Sequence, residues 1–316
     1  MTGYLGGRAM SAELKNEFSW SSSRDATFRE CPRRYFFRYY GSWGGWSVGA
    51  EPRTRKLYVL KQLRTRQMWA GAAVHERIKE GLRDIRRGAE PMPAEDAVEA
   101  ALSAMRTEYL ASRRRDYWLD PKSCGLFEHE YGLAVPAAAW KETAEHVARC
   151  LRAFYASDLY ARIRAMPPDA WLDVEEFSSF ELDGMKVHVV LDFSCREGES
   201  VEIWDWKTGR AGGARNDRQL ACYGLYAVER WGVAPERVRA AELDLPSGKV
   251  RERRFGIPDL ESVRAHIRVS ACQMRSLLDD PEANSAREER FPFAANDCAC
   301  RFCNFRSACP RFGAVA

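Results

Sequence analysis

The sequence predicts an α/β fold in which a sheet-bearing core carries a large helical insertion. Across 53–166 the apolar residues recur at helical spacing. From 174 the period switches to two for three successive segments before helical spacing returns at 217. A further feature concerns the ends, where Cys298, Cys300, Cys303 and Cys309 crowd one terminus and Cys31 stands alone near the other. Three thiolates hold a metal centre incompletely, and a fourth from the opposite end would close the chain as a clasp. Four cysteines suit tetrahedral zinc or an iron-sulfur cluster.

In chain order, residues 1–20 are small and polar. Ser22, with Asp25 three positions on, reads as a capping box opening a helix over 22–40, which places Cys31 inside that helix. The Gly- and Trp-rich stretch 41–52 reads as a loop. Helical patterning resumes at 53, and 68–87 is amphipathic, with Ala72, His75, Ile78, Lys79 and Leu82 near one stripe. Further helices are predicted over 94–116 and 138–166. Strands follow over 174–182, 186–195 and 201–207, joined by an Asp183-Gly184 hairpin turn and a turn at 197–200. A helix over 217–231, a strand pair around 246–249 and a helix over 259–278 complete the pattern. These elements are read as a single domain over 1–316: an N-terminal helix (22–40), a helical region (53–166), a core (170–280) and a cysteine cluster (288–310).

The 316 residues are 46% hydrophobic and 30% charged, enough apolar material for a sizeable core. Net charge is a mild +4, yet forty of the 49 basic residues are Arg, the better fork for phosphate oxygens. Codon bias in a GC-rich genome accounts for the same excess. Ten dispersed cysteines, with no charged-then-apolar leader, point to reducing cytoplasm and away from a secreted disulfide scaffold. No apolar run approaches the ~18 residues of a membrane span. No repeat and no G-x4-G-K-[ST] loop occurs, so motor activity would have to come from another protein.

Chemistry concentrates on the second and third strands. Asp192 follows Val189-Val190-Leu191, and Trp204-Asp205-Trp206-Lys207 ends the next strand. Asp205 and Lys207 share a face, and twist across the hairpin can bring Asp192 beside them. Two carboxylates to hold Mg2+ or Mn2+, with an ammonium near the attacking water, are what metal-assisted phosphodiester hydrolysis needs. D-x-K alone is a weak motif, equally at home as strand-end acids beside an exposed lysine. His75, as neutral imidazole, is a suitable further ligand for Mn2+. Gln219 and Tyr223, four apart on the following helix, share a face that can point back to the strand end.

Taken together, the order C, H, D, D-x-K, Q-x3-Y, C-x2-C-x5-C resembles the PD-(D/E)XK nucleases of the RecB and Cas4 type, in particular those clasped by a four-cysteine [4Fe-4S] cluster, as in the AddB subunit. The resemblance spans about 22–310. It implies a restriction-endonuclease-like core, a mixed central sheet flanked by helices, with a helical insertion and an iron-sulfur clasp joining the N- and C-terminal segments. It implies that His75, Asp192, Asp205 and the Trp206 carbonyl hold Mg2+ or Mn2+, that Lys207 is the catalytic lysine, and that Gln219 and Tyr223 form a third motif. An acid on the preceding strand falls to Glu175 or Glu176, with Glu175 preferred. Cys31, Cys300, Cys303 and Cys309 map onto the cluster ligands, and Cys298 is a spare thiol close enough to compete with Cys300. The resemblance favours the cluster over zinc.

The function implied is a Mg2+- or Mn2+-dependent deoxyribonuclease, an exonuclease on single-stranded or frayed DNA ends. It would act in repair, recombination or defence beside a helicase or a CRISPR or defence protein. The alternatives are a Cas4-like spacer-acquisition nuclease and a catalytically silent iron-sulfur DNA-binding scaffold. Cys124, Cys150, Cys195, Cys222 and Cys272 are read as buried packing residues in helices or strands. The N-terminal helix interleaves Arg24, Arg29, Arg33, Arg34 and Arg38 with aromatic rings. Most of the rings are expected to pack, and some of the arginines to meet DNA. Arg113, Arg114, Arg115, Arg210 and Arg215 are further candidates.

Overall fold

The structure, a computed structural model, describes residues 14–209 and 213–312. The chain opens with β1 (Ser19–Trp20), α1 (Ser22–Glu30) and α2 (Pro32–Phe36), then α3 (Pro52–Gln62) and α4 (Arg66–Arg86). The helical region continues through α5 (Ala94–Arg114), α6 (Phe127–Glu130), α7 (Ala137–Tyr155) and α8 (Asp158–Ala165). Then come β2 (Phe177–Leu182), β3 (Met185–Val190), β4 (Phe193–Glu197), β5 (Ser200–Lys207) and α9 (Ala214–Trp231). The last regular elements are β6 (Val238–Asp244), β7 (Lys249–Arg254) and α10 (Ile257–Arg275). The fold is mixed α/β with helices on both sides of the strands, and among the described residues no helix is long and apolar enough to cross a membrane.

The predicted single sheet is two mixed sheets. One has the order β1-β3-β2 and the other β4-β5-β6-β7, with β5 and β6 parallel. The strand expected over 186–195 breaks at Leu191-Asp192, and the halves join different sheets. Ladder hydrogen bonds explain the break. The Phe193 to Trp204 register would set Leu191 opposite Trp206, but the Leu191 carbonyl accepts from Glu175 N at 2.9 Å. Trp206 N–H is left to donate to the Asp192 carboxylate, Oδ2, at 2.8 Å. A side chain has replaced a ladder acceptor, which carries Asp192 out of the strand and fixes its carboxylate against β5.

Alternation along β5 divides the core. Val201 and Ile203 pack with α9 and α10 through Leu220, Leu260 and Ile267. Trp204 and Trp206 face the insertion, meeting Val74 and Ile78 of α4 and Phe154 of α7. Each such buried side chain contributes roughly 1.5–3 kcal/mol. On α4 the buried stripe is Trp69, Ala70, Val74, Ile78 and Leu82. Ala72 and Lys79 lie off it, and His75 flanks it half-buried.

Most helix ends fall within three residues of expectation, and the larger departures have local causes. The helix over 22–40 ends at Glu30, because Pro32 disfavours helical backbone at the residue before it and Cys31 is extended. Cys31 therefore caps α2, its Sγ accepting from Arg34 N at 3.4 Å, and a π-helical turn at Phe37–Gly41 follows. The cap of α1 is Ser21, not Ser22. Asp25 is buried, accepting from Ser270 Oγ at 2.6 Å and lying 3.1 Å from His266 Nε2. The helix over 138–166 splits because Ser157 Oγ caps a new helix by accepting from Tyr160 N.

The C-terminal segment returns to α2 and α3. Arg33 donates to the Pro292 and Phe291 carbonyls and pairs with Glu288 at 2.8 Å, and Lys56 Nζ donates to the Ser307 carbonyl at 2.7 Å. Phe305 packs against Phe37 with ring centroids 5.4 Å apart. Both termini of the described chain are thus joined by protein contacts. Cys150, Cys195 and Cys222 are buried as expected, whereas Cys272 is exposed and Cys124 sits half-buried in a loop.

Candidate active site

Two groups of side chains meet where β3 hands over to β4. On the insertion side, His75 Nδ1 lies 3.0 Å from Glu175 Oε1 and 3.2 Å from Asp192 Oδ1. Among the described residues, these three are the one set of His, Cys, Asp or Glu whose ligand atoms all fall within 4.8 Å of one another. Glu175 reaches the site from a left-handed backbone position, φ +49, with its N–H shared between the Leu191 and Asp192 carbonyls. Glu176 points elsewhere, exposed and paired with Arg86.

On the α9 side, the face of β5 that buries Val201 and Ile203 carries Asp205 and Lys207, as period two requires. Lys207 Nζ stands 2.6 Å from Asp205 Oδ2 and donates to Gln219 Oε1 at 3.3 Å. Gln219 Nε2 donates to Asp205 Oδ1 at 3.4 Å and to the Tyr223 hydroxyl at 2.5 Å. Tyr223 donates in turn to the Val190 carbonyl at 2.7 Å. This chain orients the Gln219 amide and holds Lys207 over Asp205. The helix spacing that put Gln219 and Tyr223 on one face was legible in the sequence.

Burial and charge set the protonation. Desolvation lifts the Asp205 carboxyl to about 7, with the Asp192 charge adding to the rise and Lys207 opposing it. Desolvation also raises Glu175, against the bond to His75. Burial disfavours a charged His75, but the charges and bonds of Asp192 and Glu175 prevail and raise its pKa well above the usual value. Crowded carboxylates are held together here by an imidazolium and an ammonium. Asp205 Oδ2 is buried with no aligned hydrogen bond, although Lys207 is near. Hard oxygens, an imidazole and an acid raised by burial and by the Asp192 charge fit a divalent cation, which would take over the role of the His75 proton.

The cysteines differ. Cys31 and the C-terminal thiols lie on segments in contact, yet they do not gather into a group as close as His75, Glu175 and Asp192. Burial pushes Cys303 up to about 11 and raises Cys300 and Cys309, and negative charge on Cys31 contributes to all three. Cys298 is exposed.

Of the arginines, Arg29 pairs with Asp25, Arg33 with Glu288 and Arg34 with Glu30, and Arg38 donates to the Lys61 carbonyl. Arg24 lines a groove beside the site. Arg114 pairs with Asp116, Arg115 donates to the Glu130 carbonyl, and Arg113 is exposed at the end of α5. Arg210 and the Arg215 side chain lie outside the described residues. Tyr35 and Phe37 are fully buried, so these rings pack.

A family model for the PD-(D/E)XK nuclease superfamily matches residues 19–310, the span that holds every residue of this site. No curated protein matches the chain. With a mixed α/β fold and a D-x-K strand whose acid and lysine meet a second carboxylate and a histidine, the chain belongs to the PD-(D/E)XK nuclease superfamily.

Proposed function

We propose that this nuclease is a Mg2+- or Mn2+-dependent deoxyribonuclease of the RecB, Cas4 and AddB type, acting as an exonuclease on single-stranded or frayed DNA ends. The observation that carries the reading is the meeting of His75, Glu175 and Asp192 with Asp205 and Lys207 at one strand end. His75, Asp192, Asp205 and the Trp206 carbonyl would hold the divalent ion, with Glu175 beside them. When bound, the ion supplies a water of lowered pKa and offsets charge developing on the phosphate. Lys207, directed by Gln219 and Asp205, orients the attacking water and meets the phosphate's negative charge. Tyr223 fixes Gln219 and thereby Lys207.

Cys31, Cys300, Cys303 and Cys309 are assigned to a [4Fe-4S] cluster. The resemblance of the cysteine pattern to the clasped members of the family favours this cluster over a tetrahedral zinc site. Repair, recombination or defence in the cytoplasm, beside a helicase or a CRISPR or defence partner, is the setting we assign.

The test is cleavage of end-labelled single- and double-stranded DNA by anaerobically purified protein with Mg2+ or Mn2+, comparing wild type with Lys207→Ala. Progressive shortening by the wild type, abolished in the variant, is expected. Binding without turnover by iron-loaded wild type would replace this reading with the silent scaffold.

A further inference from the structure

Beside the catalytic residues runs a groove of about 420 Å³, walled by the start of α1 on one side and by β2 and β3 on the other. Its floor is Gln219 and Tyr223, the residues that bond Asp205 and Lys207, so it opens directly from the site. Among the described residues no carboxylate lines it, and the one permanently charged lining side chain is Arg24. The contrast with the carboxylate-rich pocket next door is one of sign. A polyanion leaving that pocket meets a cation and the positive end of a helix.

At the rim, Phe177 is 73% exposed, an unusual position for a phenylalanine that packs against no core cluster. Its ring lies on His188, centroids 4.6 Å apart and tilted 32°, and its register partner Val190 is also exposed. The result is a flat apolar shelf backed by an imidazole. Opposite, the Arg24 guanidinium lies over the Tyr39 ring at 4.4 Å and spends Nη1 on the Ser19 carbonyl. A guanidinium has five donors, so others remain for phosphate oxygens.

We propose that this groove carries the unpaired nucleotides flanking the scissile phosphate of single-stranded DNA, with a base stacked on Phe177 and a backbone phosphate on Arg24. The inference rests on the nuclease reading and adds a reason for strand preference. Within a duplex both faces of a base are covered by its stacked neighbours, so the shelf rewards single strands and adds little for duplex.

The test uses the full chain with Mn2+. Binding of a fluorescent oligothymidylate and of a duplex is read by anisotropy in a Lys207→Ala background, and cleavage kinetics are read with Lys207 intact. Phe177→Ala should weaken single-strand binding about tenfold, the scale of one base-aromatic stack, and raise KM with kcat kept, while duplex binding moves less than about twofold. Phe177→Trp should restore the single-strand affinity. Arg24→Gln should weaken both substrates and lower the salt slope by about one. If the wild type cleaves DNA while Phe177→Ala binds and cleaves single strands as the wild type does, the groove assignment is wrong and the nuclease reading stands. If the wild type neither binds nor cleaves DNA, both fall together. Because Phe177 is exposed, loss of fold does not confuse the result.

Discussion

The strand-end site and the cysteine clasp are both candidate metal centres, and they are built in opposite ways. At the strand end the protein has already paired its charges, with His75 between Glu175 and Asp192 and Lys207 on Asp205. At the clasp the segments are held by Arg33, Glu288, Lys56 and packed rings, while burial raises the Cys300, Cys303 and Cys309 thiols. A divalent cation at the first site replaces a proton on an ordered scaffold. On the proposed reading, an iron-sulfur cluster at the second would replace thiol protons, and its binding energy would become folding energy. The first site would then govern rate and the second stability.

The largest separation of the two should come from Asp205→Asn. Cleavage is expected to fall by roughly 10²–10⁴-fold with the melting temperature held or raised, since the change removes a buried carboxylate lifted to about 7. A variant that lost its fold together with its rate would merge the two roles. The converse is Cys31→Ala, which should lose iron and visible absorbance and melt about 10 °C lower, while Cys298→Ser leaves iron content unchanged. Full iron in the Cys31 variant, by chemical assay, would remove Cys31 from the cluster.

A finer cut lies within the acids. Glu175→Gln should raise the Mn2+ concentration for half-maximal cleavage by about 10- to 100-fold, and Glu176→Gln by less than about twofold. Equal effects would mean that the contact with His75 carries no weight. The smallest effect concerns pH. Asp205 has a folded pKa above its unfolded value, so metal-free protein binds the extra proton between about 4 and about 7 and loses that stability as pH rises through this window. His75, also raised, contributes stability that is fully present below its unfolded value and is lost as pH rises through its folded one. Metal-free wild type should therefore lose several degrees of melting temperature relative to Asp205→Asn between pH 5 and pH 8. Mn2+ should reverse the trend and release protons on binding. A flat difference across that range would show that Asp205 does not titrate there.

Much of this was legible in the chain itself. The change from helical to alternating period located the strands, Asp183-Gly184 and the turn at 197–200 formed as read, and i, i+4 spacing put Gln219 and Tyr223 on one face. The break at Cys31 was missed, because helical patterning on both sides outweighed the signal that Pro32 gives. The single sheet was misread for a different reason. The odd positions Val187, Val189, Leu191, Phe193 and Cys195 stay apolar straight through the break, and nothing local says that the Leu191 carbonyl will serve Glu175 and that an Asp192 oxygen will take its place on Trp206. Arg29, Arg33 and Arg34 looked ready for phosphate, and tertiary contacts spent them on Asp25, Glu288 and Glu30.

Sequence by itself determined the periods, the turns and the inventory of ligands, because these depend on neighbours a few residues apart. Tertiary structure alone decided which of Glu175 and Glu176 meets His75, and which face of β5 meets α9. It also left Arg24 and Phe177 facing an open groove. Those outcomes depend on hydrogen bonds and burial between segments about a hundred residues apart, where the partner that satisfies a buried group is known only once the chain has closed on itself.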